Sequence, residues 1–199
     1  MNLNLRDATL FSLLLNYILE INGREFSIDN VINYLKNENH NVSNETIYSY
    51  INAMCKALII SKVYRYDVNG KMVLKTLNKY YATDLGIANI QATKTKFRTY
   101  IALENIVYNE LLIKGYEVYV GKSKKGEIDF VSKKNGVIKY IQVAYLIGEN
   151  EETFNREFNA FNYIEDNYPR YVISLDPIDL SYNGIKHLNL FDFLLNDDF

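Results

Sequence analysis

Apolar residues at Leu10, Leu13, Leu14, Tyr17, Ile18 and Ile21 recur at intervals of three and four. That spacing predicts a helix over residues 7–21, ended by Asn22-Gly23. Ser27 is placed to cap a second helix with Asp29 in its first turn, where a negative charge suits the helix dipole. Ile28, Val31, Ile32 and Leu35 form its apolar stripe, and the polar run 37–41 turns the chain. Ser43 caps a third helix with Glu45 near its start. Ile47, Tyr50, Ile51, Met54 and Leu58 face inward there; Thr46, Tyr48, Ser49, Asn52 and Lys56 face out. Two extended runs follow, Ser61 to Asp67 and Lys71 to Leu77. They flank Asn69-Gly70, a hairpin signal because both residues tolerate positive φ.

Three helices and then a hairpin is the order of a winged helix-turn-helix, assigned to residues 1–90. After a connector with a short helix near 80–87, the polar stretch Gln91 to Arg98 is the expected domain boundary. From 98 to 199 the pattern reads as an αβββαβ domain. A helix over 98–114 carries Ile101, Leu103, Ile106, Val107, Leu111 and Leu112, and Gly115 stops it in the left-handed conformation. Strands follow at Glu117 to Gly121, Glu127 to Lys133 and Val137 to Tyr145, the last two joined by Asn135-Gly136. A helix over 151–165 uses Phe154, Phe158, Phe161 and Ile164. Strand-like segments at Arg170 to Leu175 and Ile185 to Leu190 and a short closing helix complete the chain. The fold class is mixed α+β or α/β in two domains.

Composition narrows the chemistry. Of 199 residues, 48% are hydrophobic and 23% charged, as in an ordinary globular protein. Cys55 is the single cysteine, set in a helix among apolar neighbours, which excludes an internal disulfide and a cysteine-rich zinc site and reads as a structural thiol. His40 and His187 are isolated. The N-terminus lacks the basic start and apolar block of a signal peptide, and no apolar run reaches membrane-spanning length. The cytoplasm is the default expectation, with no membrane partner. The net charge of −2 hides an asymmetry: residues 1–97 hold 11 Lys and Arg against 8 Asp and Glu, while 98–199 hold 11 against 16. That is mild polarity, not the signature of a strongly basic nucleic-acid binder.

Two constellations carry candidate chemistry. Lys56, Lys62, Arg65, Lys71, Lys75 and Lys79 face only Asp67 across the hairpin region, with Tyr64 and Tyr66 interleaved. Lys56, Lys62, Arg65, Lys71 and Lys75 are the candidate phosphate contacts of a DNA-binding wing. The plainer reading is a solvated β surface on a protein-interaction module, and the outward face of the third helix holds no arginine to read guanine. The second constellation is Glu104 on the first helix of the second domain, Asp129 in Glu127-Ile128-Asp129, and Gln142 in Gln142-Val143-Ala144. Strand alternation sets Glu127 with Asp129, and Gln142 with Ala144, on one face. Oxygen ligands so placed suit Mg²⁺ at a sheet edge.

These residues resemble the P-D-(D/E)-x-K restriction-endonuclease-like fold. The resemblance assigns Glu104, Asp129 and Gln142 to the metal-binding positions and puts Ala144 where that family's catalytic lysine stands. Alanine supplies neither charge nor proton donor. Strand parity turns Lys139 to the other face, so a substitute cation has to come from Lys122, Lys124, Lys125 or Arg156. The runs Lys79 to Gly86, Leu103 to Leu111, Gly115 to Gly121 and Asp166 to Val172 resemble the C-terminal half of prokaryotic AAA-type ATPases, in which an ATPase module precedes a winged helix and a nuclease-like domain. No G-x-x-x-x-G-K-[ST] motif occurs here, so no ATPase activity is expected of this chain. The resemblance implies a non-catalytic DNA-binding or regulatory module needing no cofactor. An active Mg²⁺-dependent nuclease is the first alternative. A subunit that partners an ATPase or itself, or an antitoxin-like defence component, is the second.

Overall fold

The computed structural model describes residues 7–91, 99–196 and 199. The expected domain boundary at 91–98 therefore lies almost wholly outside the described residues. The fold is mixed α/β, with helices α1 (Ala8–Glu20), α2 (Ile28–Asn37), α3 (Asn44–Lys56), α4 (Leu85–Gln91), α5 (Thr99–Ile113), α6 (Glu151–Asn159) and α7 (Leu190–Leu195). The strands are β1 (Ile60–Asp67), β2 (Met72–Ala82), β3 (Glu117–Lys122), β4 (Glu127–Lys134), β5 (Val137–Val143), β6 (Arg170–Ser174) and β7 (Lys186–Asn189). Among the described residues no helix is long and apolar enough to cross a membrane.

The chain divides into two compact units: Met1–Lys62 with Leu77–Phe97, and Val63–Thr76 with Arg98–Phe199. This departs from the sequence-based division at 1–90 and 98–199, because the outer half of the hairpin belongs to the second unit. The reason is pairing: β1 runs parallel to β3, with Arg65, Tyr66 and Asp67 opposite Val120, Gly121 and Lys122. A pairing between residues so far apart in sequence leaves no local signal.

In the first unit the expected caps form: the Ser27 and Ser43 hydroxyls accept the amides of Asn30 and Thr46. Asp7, expected inside the first helix, instead caps it, its side chain accepting the Leu10 amide at 2.9 Å. Leu14, Ile18, Val31, Leu35, Ile47, Ile51 and Met54 close the core with Ile60, Tyr80 and Ala82. Each is almost fully removed from water, worth roughly 1.5–3 kcal/mol for a large aliphatic side chain.

The second unit is built on a mixed sheet of order β2-β1-β3-β4-β5-β6-β7. β3, β4 and β5 form an antiparallel meander, and β6 and β7 add in parallel. Asn135 and Gly136, at φ 51° and 79°, make the tight turn between β4 and β5. Gly115, at φ 78°, ends α5 as expected, and the Tyr116 amide closes on the Leu111 carbonyl at 3.0 Å. The Asn69-Gly70 turn differs from expectation. The left-handed residue is Lys71, at φ 53°, and the Asp67 carboxylate accepts the amides of Asn69 and Gly70 at 3.0 Å each. The side chain thus builds a wider loop in place of a two-residue turn. The helix expected over 151–165 is shorter: α6 gives way to a 3₁₀ turn at Ala160–Tyr163. Phe158 and Phe161 are buried with Ile128, Tyr140 and Val172.

Candidate functional site

A cleft of about 730 Å³ opens in the second unit, lined by Glu104 of α5, Glu127 and Asp129 of β4, Gln142 and Val143 of β5, and Arg156 and Glu157 of α6, among others. The three nuclease-like positions named from sequence thus come together, with Ala144 beside them.

Paired register between β4 and β5 reaches Phe130 opposite Ile141, and side chains take over beyond it. The Gln142 Oε1 accepts the Asp129 amide at 2.7 Å, and the Asp129 Oδ2 accepts the Val143 amide at 2.8 Å. Two side chains thus stand in for the ladder where the strands part. The Gln142 Nε2 donates to the Glu157 Oε2 at 3.1 Å, and the Glu157 Oε1 accepts two donors of Arg156 at 2.9 and 2.7 Å. Hydrogen bonding and the charge of Glu157 first, and Asp129 among the lesser charges, hold the Arg156 guanidinium above its ordinary pKa. A hard divalent cation needs several oxygen ligands converging on one point. Here the Gln142 amide is engaged at both ends and one Asp129 oxygen is held by the backbone. Among the described residues no three His, Cys, Asp or Glu side chains are grouped to hold a metal ion. In this structure Gln142 and one Asp129 oxygen thus serve the backbone and Glu157.

The cationic candidates separate. Lys125 and Arg156 line the cleft, whereas Lys124 pairs with Glu165 at 2.6 Å on the surface. The turn that presents Lys125 is closed by the Ser123 hydroxyl, which lies 3.1 Å from both the Gly126 amide and carbonyl. Lys139 turns away as strand parity requires, to the Tyr116 hydroxyl and the Phe199 ring. Of the proposed wing cations, Arg65 is buried and ion-paired with Glu127 at 3.0 Å. Lys71 pairs with Asp166 and reaches the Tyr140 hydroxyl at 3.0 Å. Burial lowers the Lys71 pKa and raises that of Tyr140. These two side chains join the hairpin to the second unit's sheet; a charge count along the sequence cannot distinguish that use from a phosphate contact. Lys56 and Lys75 are exposed and Lys62 is half-buried.

Sequence reasoning missed Glu157, Tyr145 and Tyr163. Glu157 had a signal: it lies three residues after Phe154 and beside Phe158, on the border of α6's apolar stripe, where helical spacing puts an acid close to the buried face.

Residues 2–98 match a family model described as a domain of unknown function (DUF8612). An uncharacterized protein of Haemophilus influenzae is 32% identical over 191 residues, covering 96% of this chain and 47% of that protein. The uncharacterized protein MJ1544 of Methanocaldococcus jannaschii is 28% identical over 162 residues, covering 79% and 35%. The chain spans less than half the length of these curated relatives. Among solved structures, protein VC1899 from Vibrio cholerae aligns over 94% of this chain and 49% of its own at 12% identity, with a TM-score of 0.32, a likeness too slight to inform the fold.

Proposed function

We propose that this chain is a non-catalytic nucleic-acid-binding module, with a winged helix first and a nuclease-like domain that has lost its chemistry second. The observation that carries the reading is the exchange of side-chain bonds between Asp129 and Gln142. The residues a nuclease would turn toward a metal instead hold two strands together, and Ala144 offers no proton donor. Lys125 and Arg156 keep cations in the same cleft, which supports retained affinity for phosphodiesters without turnover. In the first unit, the exposed Tyr48, Ser49, Asn52 and Lys56 of α3 are the face a recognition helix would use, so Lys56 stays among the proposed DNA contacts. A role as the tail of a larger AAA-type ATPase belongs to this proposal on the sequence resemblance of Lys79 to Gly86, Leu103 to Leu111, Gly115 to Gly121 and Asp166 to Val172 alone.

A salt titration of labelled DNA tests this. Binding should weaken linearly on a log–log plot against salt, and Arg156→Ala or Lys125→Ala should each reduce the slope by about one. Arg65→Ala should leave the slope unchanged, because that guanidinium is buried beyond a phosphate's reach, whereas Arg156 is largely exposed. Absence of any salt-sensitive binding would leave a protein-interaction role in its place.

A further inference from the structure

Nucleotides that are paired keep their bases stacked within the duplex and offer a protein only groove edges and phosphates. Unpaired nucleotides also offer their π faces, which aromatic side chains take up whatever the base. The cleft carries the second kind of surface. Tyr145 and Tyr163, both on its lining, are 49% and 38% exposed. Their backbones are fixed while their rings are presented. The Tyr145 carbonyl accepts the Leu175 amide at 2.9 Å, and the Tyr163 carbonyl accepts the Asn69 side-chain amide at 3.2 Å. The Lys125 ammonium lies over the Tyr163 ring, 5.1 Å from its centre, so it covers one face of that ring and leaves the other for a base, with a phosphate-seeking charge close by. The Arg156 side chain, 71% exposed, retains donors beyond the two that hold Glu157. The lining also holds four acids, Glu104, Glu127, Asp129 and Glu157; Glu127 is paired with Arg65 and Glu157 with Arg156, so a phosphate has to sit at the Lys125 side and the open edge of Arg156, away from Glu104 and Asp129. At about 730 Å³ the cleft falls within the roughly 300–1,000 Å³ of small-molecule sites, a size for individual nucleotides and not for a double helix.

We infer that the cleft receives unpaired nucleotides, with Tyr145 and Tyr163 stacking on bases and Lys125 and Arg156 holding the adjoining phosphates. The inference rests on the nucleic-acid reading of the cleft and adds to it the form of nucleic acid. It accounts for the tyrosines, which a duplex held by phosphates alone would leave unused.

The test is fluorescence anisotropy of the full chain with three labelled probes of equal length: oligothymidylate, the same strand without bases, and a duplex. Wild type, Tyr145→Ala, Tyr163→Ala, Tyr163→Phe and Arg156→Ala are compared. Oligothymidylate should bind at least tenfold more tightly than either other probe. Each tyrosine-to-alanine change should cost it roughly tenfold or more while leaving the duplex unaffected, and Tyr163→Phe should retain affinity because the ring remains. Arg156→Ala should weaken all probes alike. Duplex binding as tight as single-strand binding, or tyrosine variants with unchanged affinity, would overturn the inference and leave the nucleic-acid reading standing. Failure of every probe to bind would remove both.

Discussion

Replacing Asp129 separates a structural carboxylate from a metal ligand through stability alone. In Asp129→Ala the Val143 amide, in a residue only 7% exposed, loses its acceptor. An unsatisfied buried donor costs about 1–3 kcal/mol, with the upper part of the range applying where the lost partner was charged. Asp129→Asn keeps an oxygen in place but removes the charge. Charge-assisted bonds are about twice as strong as neutral ones, so this change should cost about 1 kcal/mol. For a chain of this length those losses correspond to a Tm decrease of roughly 2–4 °C per kcal/mol. The two units need not unfold together, so amide hydrogen exchange at Val143 is the sharper assay. Faster exchange there, greater in the alanine variant than in the asparagine variant, is expected. A carboxylate kept to bind metal sits among like charges and is relieved when neutralised. If Asp129→Asn were as stable as wild type or more so, the structural account of this residue would be refuted.

Other consequences are independent of this one. Arg65→Ala removes a buried guanidinium and leaves the half-buried Glu127 without its ion-pair partner, and should destabilise by about 1–3 kcal/mol, measured by denaturant unfolding. Gly121→Ala should also be costly, because a Cβ there would lie 2.7 Å from the Ile128 Cβ and 2.9 Å from the Val131 Cγ2 inside the sheet; poor yield or a markedly lower Tm would register it. Acid should destabilise the second unit below about pH 6.5. His187 lies buried 2.8 Å from the Ser174 hydroxyl, and burial lowers its pKa from the ordinary 6.5 against the opposing charges of Asp176 and Asp179. The unfolded chain therefore takes up a proton first, and stability falls as pH drops through 6.5 toward the folded value. Asp176 adds to this: burial alone would raise its pKa, but the Ser174 hydroxyl and the amides of Ile147 and Gly148 outweigh it, so its contribution is lost at still lower pH. His187→Gln should flatten the upper part of a Tm-against-pH curve, whereas an unchanged curve would mean that His187 does not govern it.

Local chemistry was legible in the sequence, and long-range pairing was not. The caps at Ser27 and Ser43, the stop at Gly115 and the turn at Asn135-Gly136 each follow from one or two residues with a specific backbone preference. The fold resemblance set Asp129 beside Gln142 and Ala144, and strand parity turned Lys139 away. Arg65 and Lys71 read as surface cations because nothing near them in sequence shows that β1 lies beside β3, or that Glu127 and Asp166 wait across that junction. The same gap hid the link from Gln142 through Glu157 to Arg156, which joins β5 to α6 across a loop.

Incubation of labelled single-stranded and duplex DNA with the purified chain in millimolar Mg²⁺ or Mn²⁺, beside Asp129→Ala, decides whether the cleft is a binding site or an enzyme. DNA that stays intact, shifts at low salt and is released at high salt is the outcome required by a cleft whose Asp129 and Gln142 serve the backbone. Cleavage by the wild type that disappears in Asp129→Ala would contradict it.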